Sequence, residues 1–258
     1  MSHLRSQALS IVRESNADTK VMLAITLDLR SPVDIAITFP TPEGIPGRPV
    51  RPELFPKLQY KKKPLTSVEG RAELLHSLAH IELNAIDLAA DVVWRFAGMP
   101  EDFYRQWAQV AREEALHFQL LRDHLRSMGH DYGDFPAHTG LWDMAEKTRH
   151  DVLARLALVP RTLEARGLDA SPVVKNKLVG AGDHRAGEIL DIILRDEIGH
   201  VAVGNHWYRY LCAQRGLDPV QTYAQLASEH GAPRLQGPFN LAARQAAGFT
   251  SEELAALA

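Results

Sequence analysis

The sequence predicts an all-α fold: a four-helix bundle with an extended N-terminal arm and a C-terminal helical tail. Three observations predict it. Between residues 66 and 215, apolar residues recur at helical spacing in four long runs. Clusters of glycine, proline and polar residues separate those runs. From Pro40 to Pro64, prolines fall at 40, 42, 46, 49, 52, 56 and 64, which excludes regular structure there because each fixes φ and removes a backbone donor. With 258 residues, 45% of them hydrophobic, the chain is long enough to bury a sizeable core. The organisation expected is an N-terminal helix and arm over 1–65, the bundle over 66–215 and a tail over 216–258.

In chain order, residues 2 to 14 suit a short amphipathic helix, and the apolar and β-branched residues of Val21 to Thr38 suit a strand or an extended packing segment. The proline-rich stretch carries Ile45, Val50, Leu54, Phe55 and Leu58, so it has apolar groups to pack and is expected to wrap the bundle. Thr66 or Ser67 caps the first long helix, which runs to about Phe96 and stops at Gly98 and Pro100. The second runs from about Glu101 to Met128. The third spans about Leu141 to Ala165, with a kink at Pro160 and Gly167 as its stop. The fourth begins at Ser171 or Asp183 and ends near Cys212, and a short helix around Gln221 to Glu229 and a tail helix ending at Ala258 follow.

The net charge of −3 gives no electrostatic footprint for nucleic acid or an anionic membrane surface, and the run Lys61 to Lys63 beside Pro64 reads as a solvated linker. Cys212 is the only cysteine, which excludes an intramolecular disulfide and a thiolate-built metal site within one chain. No apolar run reaches the roughly 18 residues a spanning helix needs, and Met1 to Arg13 lacks the apolar region of a secretory signal. A cytoplasmic location is the expectation.

The chemistry-bearing pattern lies on the helices. The second contains Glu114-Ala-Leu-His117 and the fourth Glu197-Ile-Gly-His200, each a carboxylate and an imidazole on one helix face, one turn apart. Trp107, Val110, Ala111, Phe118 and Leu121 share the face of Glu114 and His117, while Ile193, Leu194, Val201 and Gly204 surround Glu197 and His200. Chance alone predicts about one Glu-x-x-His match in this composition, so the motif means little without its spacing. Glu82 precedes Glu114 by 32 residues, and Glu164 precedes Glu197 by 33. The chain therefore repeats a glutamate helix followed by a Glu-x-x-His helix. Glu82 lies on a stripe with Leu75, Leu78, Ala79, Ile86 and Ala89, and Glu164 follows Leu153, Leu156 and Ala157, so both are expected to face inward. Buried carboxylates need a compensating charge, and metal ions supply it. Two such hairpins bring four carboxylates and two imidazoles together, the arrangement of di-iron and di-manganese carboxylate bundles.

At these residues the chain resembles the ferritin-like di-iron superfamily, which implies a ferritin-like four-helix bundle. More narrowly, it is similar to the DUF455 family, through His80-Ile-Glu82-Leu-Asn-Ala-Ile86, Gly140-Leu-Trp142, Glu164-Ala-Arg-Gly-Leu-Asp169, Arg195-Asp-Glu197-Ile-Gly-His200 and Gly237-Pro-Phe-Asn240. The superfamily resemblance implies Glu82 and Glu164 as ligands from each hairpin, Glu114 and Glu197 as bridging or chelating carboxylates, and His117 and His200 each on one metal. A further likeness is to the tRNA-hydroxylating di-iron proteins, but a shared bundle does not carry substrate identity with it.

Other polar residues read more plainly. Glu73-Leu-Leu-His76 is the third Glu-x-x-His match and reads as surface, on a polar stripe with His80 and Asp87. His80 lies roughly 200° around the helix from Glu82, which leaves it an outer-sphere or substrate-entrance role. Glu113 and Asp196 read as surface charge or as partners of neighbouring helices. Asp183, His184 and Glu188 read as ordinary residues of a helix start. Trp94, Trp107, Trp142 and Trp207 read as core aromatics, Arg161 and Arg195 as structural pairing partners, and Cys212 as a small buried hydrophobe.

Four carboxylates and two histidines balance two divalent ions, and oxygen-rich sites suit iron, or manganese, over zinc or copper. The function expected is a di-iron oxidoreductase that uses dioxygen to oxidise or hydroxylate an organic substrate. Its electrons come from an external donor, since no dinucleotide fingerprint is present. The rivals are a ferroxidase or iron-handling protein and a metal-stabilised interaction module. The long segments flanking the bundle favour a monomer or dimer over a cage.

Overall fold

A computed structural model describes residues 3–56 and 63–257. Leu58 of the expected arm, Lys61 and Lys62 of the basic run, and Ala258 at the expected end of the tail lie outside the described residues. The fold is all-α, and the chain divides into two compact units: Met1–Trp142 with Ala181–Ile189, and Asp143–Gly180 with Leu190–Ala258. No helix among the described residues is long and apolar enough to cross a membrane.

The first unit is built on a helical hairpin, α3 (Val68–Arg95) and α4 (Glu101–Ser127). Ser67 caps α3 by accepting the Gly70 N–H at 3.1 Å, and Glu69 complements the positive end of the helix dipole. Gly98, at φ +80°, turns the chain toward Pro100 and the start of α4. The predicted apolar stripes meet in this hairpin: Leu75, Ala79, Ile86 and Ala89 of α3 are buried, as are Trp107, Val110, Ala111, Phe118 and Leu121 of α4.

Two shorter helices, α1 (Leu4–Arg13) and α2 (Ala17–Ile25), pack on α3 and α4 respectively. The expectation of a strand or extended segment from Val21 fails over its first residues. Asn16 caps α2 by accepting the Thr19 N–H, and burial recurs at Ala17, Lys20, Val21 and Ala24, a helical period that outweighs the β-branched residues beside it. Arg5 of α1 is fully buried. Its guanidinium donates to the carbonyls of Val93 (3.2 Å) and Trp94 (2.8 Å), closing the C-terminal turn of α3, and to those of Asp34 (2.9 Å) and Ile37.

The proline-rich arm packs on this unit, but not through the apolar residues expected to hold it: Val50 and Phe55 are exposed and Ile45 and Leu54 half-buried, while Pro46, Gly47 and Pro52 are buried. Gly47 donates its N–H to Val12 O at 2.7 Å, and buried Lys20 donates to Gly47 O at 2.9 Å. The exclusion of regular structure from the arm fails at one point: between Pro52 and Pro56, where successive residues keep their N–H groups, β1 (Leu54–Phe55) pairs in parallel with β2 (Ala137–His138), Leu54 opposite Ala137.

The second unit departs from the expected third helix. In place of one helix from Leu141 to Ala165 there are α5 (Asp143–Lys147), α6 (Val152–Leu158), a π-helical turn over Val159–Glu164, and α7 (Ala165–Gly180). Pro160 has no N–H to give, and the chain widens into a π turn: the Ala165 N–H reaches Pro160 O, and the Thr162 hydroxyl donates to Ala157 O at 2.9 Å. Gly167 is not a stop, because α7 runs through it. Gly182, at φ +88°, makes the break, and α8 (His184–Arg215) starts after Asp183, the second of the two expected starts.

Beyond α8 come α9 (Pro219–Glu229), capped by Asp218, then α10 (Leu241–Ala246) and α11 (Ser251–Ala255). The tail is thus two short helices where one was expected. Ala243, Ala247 and Phe249 form one apolar cluster with Ala165 and Leu168 of α7 and Val201 of α8.

Candidate metal centre

In the first unit, α3 supplies Glu82 and α4 supplies Glu114 and His117, with exposures of 6%, 1% and 1%. They meet because α3 and α4 turn their apolar stripes toward each other, and these residues occupy positions within those stripes. His117 Nδ1 lies 3.3 Å from Glu82 Oε2 and 3.4 Å from Glu114 Oε2. Each residue offers one ligand atom, and the atoms lie within 4.8 Å of one another, a spacing that can hold a metal ion.

The electrostatics fit that reading. Burial disfavours a charge on the His117 imidazole, yet the carboxylates of Glu114 and Glu82 outweigh it and hold its pKa up to about 11. Two buried carboxylates thus draw a positive charge to Nδ1, the atom between them, and a divalent cation among the same oxygens answers the same demand more fully. Hard oxygen donors with one imidazole suit a first-row metal ion; they do not select one.

In the second unit, Glu197 and His200 of α8 are both buried, and His200 Nδ1 lies 3.4 Å from Glu197 Oε1. The predicted i, i+3 pairing is therefore formed on both motif-bearing helices. Glu164 is the last residue of the π turn and is half-buried.

Several plainer readings need correction. His76, His80 and Asp87 are buried, so the stripe they share with Glu73 is not a surface. The segment from Gly129 to Gly140 and the arm cover it, which a helical wheel cannot show. His76 accepts the Gly133 N–H at 2.9 Å and stacks on Tyr132 with ring centres 5.1 Å apart. Asp87 pairs with Lys20 at 2.5 Å, and burial pushes its carboxyl up to about 7 against the pull of that lysine. His80 Nε2 lies 3.1 Å from the His138 carbonyl, which can only accept, so Nε2 carries the proton and Nδ1 accepts from the Tyr132 hydroxyl at 2.8 Å. Burial holds the pKa of His80 down to about 4.

Other expectations match. Asp183 caps α8 by accepting the Ala186 N–H on Oδ1 at 3.0 Å, and His124 Nε2 lies 2.8 Å from the same oxygen. His184 and Glu188 are exposed. Glu113 accepts from Gln109 at 2.7 Å, and Asp196 pairs with Arg195 at 2.8 Å. Arg161 pairs with Glu253 at 2.7 Å, and Trp94, Trp107, Trp142, Trp207 and Cys212 are buried. Sequence reasoning missed Arg5, Lys20 and Tyr132, since isolated polar residues carry no periodic signal.

The family model for DUF455, described as a protein of unknown function, matches residues 10–255. A protein from Haemophilus influenzae (strain ATCC 51907 / DSM 11121 / KW20 / Rd), described as uncharacterized, is 47% identical over 219 residues, covering 82% of this chain and 76% of its own length. No solved structure matches the chain. Matched by the family model along nearly its whole length, this chain belongs to the DUF455 family.

Proposed function

We propose that this protein is a two-metal carboxylate oxidoreductase with a ferritin-like four-helix bundle, its centre formed by Glu82, Glu114 and His117 together with Glu164, Glu197 and His200. The observation that carries the proposal is the buried triad, in which His117 Nδ1 stands 3.3 Å and 3.4 Å from two carboxylates on two different helices. The same glutamate–histidine spacing on α8 supports a second half-site of the same design. Iron is the metal proposed, with manganese as the substitute the donor set also allows.

When bound, two iron ions would supply the redox equivalents for oxidising an organic substrate with dioxygen. The chain's own contribution is to bind, orient and exclude water. Glu82 and Glu114 offer carboxylate oxygens in a setting too buried for water to screen, and His117 offers Nδ1 once its proton has left. Around them Phe118, Trp107 and Val110 keep the α4 face dry. Electrons come from a separate donor protein or reductant, and the functional form is a monomer or dimer.

Elemental analysis of protein produced with iron supplementation tests this. About two metal ions per chain are expected, with Glu114→Ala and Glu197→Ala losing most of them. Wild-type protein that stays metal-free would sink the reading. Consumption of dioxygen with an added reductant, by a native mass of one or two chains, distinguishes the oxidoreductase from an iron store, which would show a cage of twelve or more.

A further inference from the structure

The π turn that ends in Glu164 is held from two sides, both within the second unit. On one side Pro160 fits against α8 at Gly204, where a Cβ would come 2.6 Å from Pro160 Cβ and 2.7 Å from its Cγ. Gly204 lies one helical turn after His200, so the turn packs beside a proposed ligand. On the other side stands Arg161, its side chain 2% exposed.

The surroundings of Arg161 tie it to the C-terminal tail. Its guanidinium lies 4.2 Å from the ring centre of Tyr208, 5.1 Å from Phe249 and 5.6 Å from Tyr223. One amino group donates to Glu253 Oε1 at 2.7 Å, while Nε and Nη1 have no hydrogen-bond acceptor among the described residues. Aromatic faces and a single carboxylate therefore balance this buried cation. Glu253 is itself fixed: it closes the capping box of α11 with Thr250 and accepts from Arg209 at 3.3 Å. A second buried pair anchors the same tail, since Arg244 of α10 bonds both carboxylate oxygens of Asp169 in α7, at 3.0 and 2.7 Å.

We propose that Arg161 is a positioning residue: through its ion pair with Glu253, the C-terminal helices α10 and α11 hold the π turn in the register that presents Glu164. Glu253, no ligand itself, thereby controls a ligand 89 residues before it. The physical reason is that a π turn lacks the regular bonding that fixes an α-helix, so its geometry is set by what packs on it. This inference rests on the reading of Glu164 as a metal ligand.

The test is cobalt titration of the full metal-free chain, followed in the visible spectrum, with circular dichroism and melting temperature as structural controls. Glu253→Gln removes the charge and keeps an acceptor, whereas Glu253→Asp keeps the charge on a shorter arm. Expected is a lowered melting temperature with unchanged circular dichroism in Glu253→Gln, since it strands the Arg161 cation, and a smaller drop in Glu253→Asp, with one of two cobalt sites weakened at least tenfold in Glu253→Gln and largely restored in Glu253→Asp. Arg161→Gln, which removes the cation and leaves Glu253 its bond from Arg209, should weaken the same site as Glu253→Gln does and serves if Glu253→Gln does not fold. If Glu164→Ala loses a site while the Glu253 and Arg161 variants keep both at wild-type affinity, the positioning role is overturned and the ligand reading stands. If Glu164→Ala itself keeps both sites, the ligand reading fails and the positioning role falls with it.

Discussion

Gly204 on α8 is the notch into which Pro160 of the π turn fits: the nearest ring carbons stand 2.6 and 2.7 Å from where any larger residue would place its Cβ. A proline ring cannot fold away as a flexible side chain can, so an added methyl group must move backbone. Gly204→Ala is expected to destabilise the protein by about 1–3 kcal/mol, the usual cost of overpacking a filled site. Urea unfolding checks this. An unchanged midpoint would show that the contact is not tight in solution.

Lys20 and Asp87 form a buried ion pair at 2.5 Å, and Lys20→Met removes its positive half. At pH 8 this should cost about 3–5 kcal/mol, since it strands a carboxylate in the core. The loss should shrink at pH 5. Burial already raises the folded pKa of Asp87 to about 7 from its ordinary 3.8, and without Lys20 it rises further. A group with a raised folded pKa gives stability that is full below its unfolded pKa and is lost as pH rises through the folded one. Denaturant midpoints of both proteins at pH 5 and pH 8 decide the matter: an equal loss at both values would contradict it.

Metal-free protein offers a separate check on the centre. There His117, held protonated by Glu114 and Glu82, is the cation between them, so His117→Ala leaves two carboxylates buried together. The expected destabilisation is about 3–5 kcal/mol. Pairing it with Glu114→Gln, which removes one negative charge, should recover part of that loss, and a double-mutant cycle measures the coupling.

Arg5 closes the end of α3 by bonding the Val93 and Trp94 carbonyls while tying in those of Asp34 and Ile37. Arg5→Met fills much of the volume yet leaves buried acceptors unmet, at about 1–3 kcal/mol for each that water cannot reach. Thermal melting should fall, and limited proteolysis should cut first between residues 27 and 53, where the chain loses its anchor. Wild-type resistance to protease there would refute the anchoring role.

Local regularities in the sequence were enough to read α3, α4 and the inward turn of Glu82, Glu114 and His117. Apolar spacing, Ser67 as a cap and the Gly98-to-Pro100 break act within a few residues, so they can be seen without a fold. The pairing of Glu197 with His200 is legible for the same reason, since one turn of helix brings them together. Helix α2 was misread because Val21 and Ile25 favour strands locally, whereas what decided the matter was the face that packs on α4. The π turn at Pro160 was mistaken for a kink, because the Gly204 notch that accepts it lies 44 residues away. Burial of His76, His80 and Asp87 depends on the arm and on residues 129–140 folding over them. Periodicity states which residues share a face; only tertiary structure decides what covers that face, because covering is a contact between segments distant in the chain.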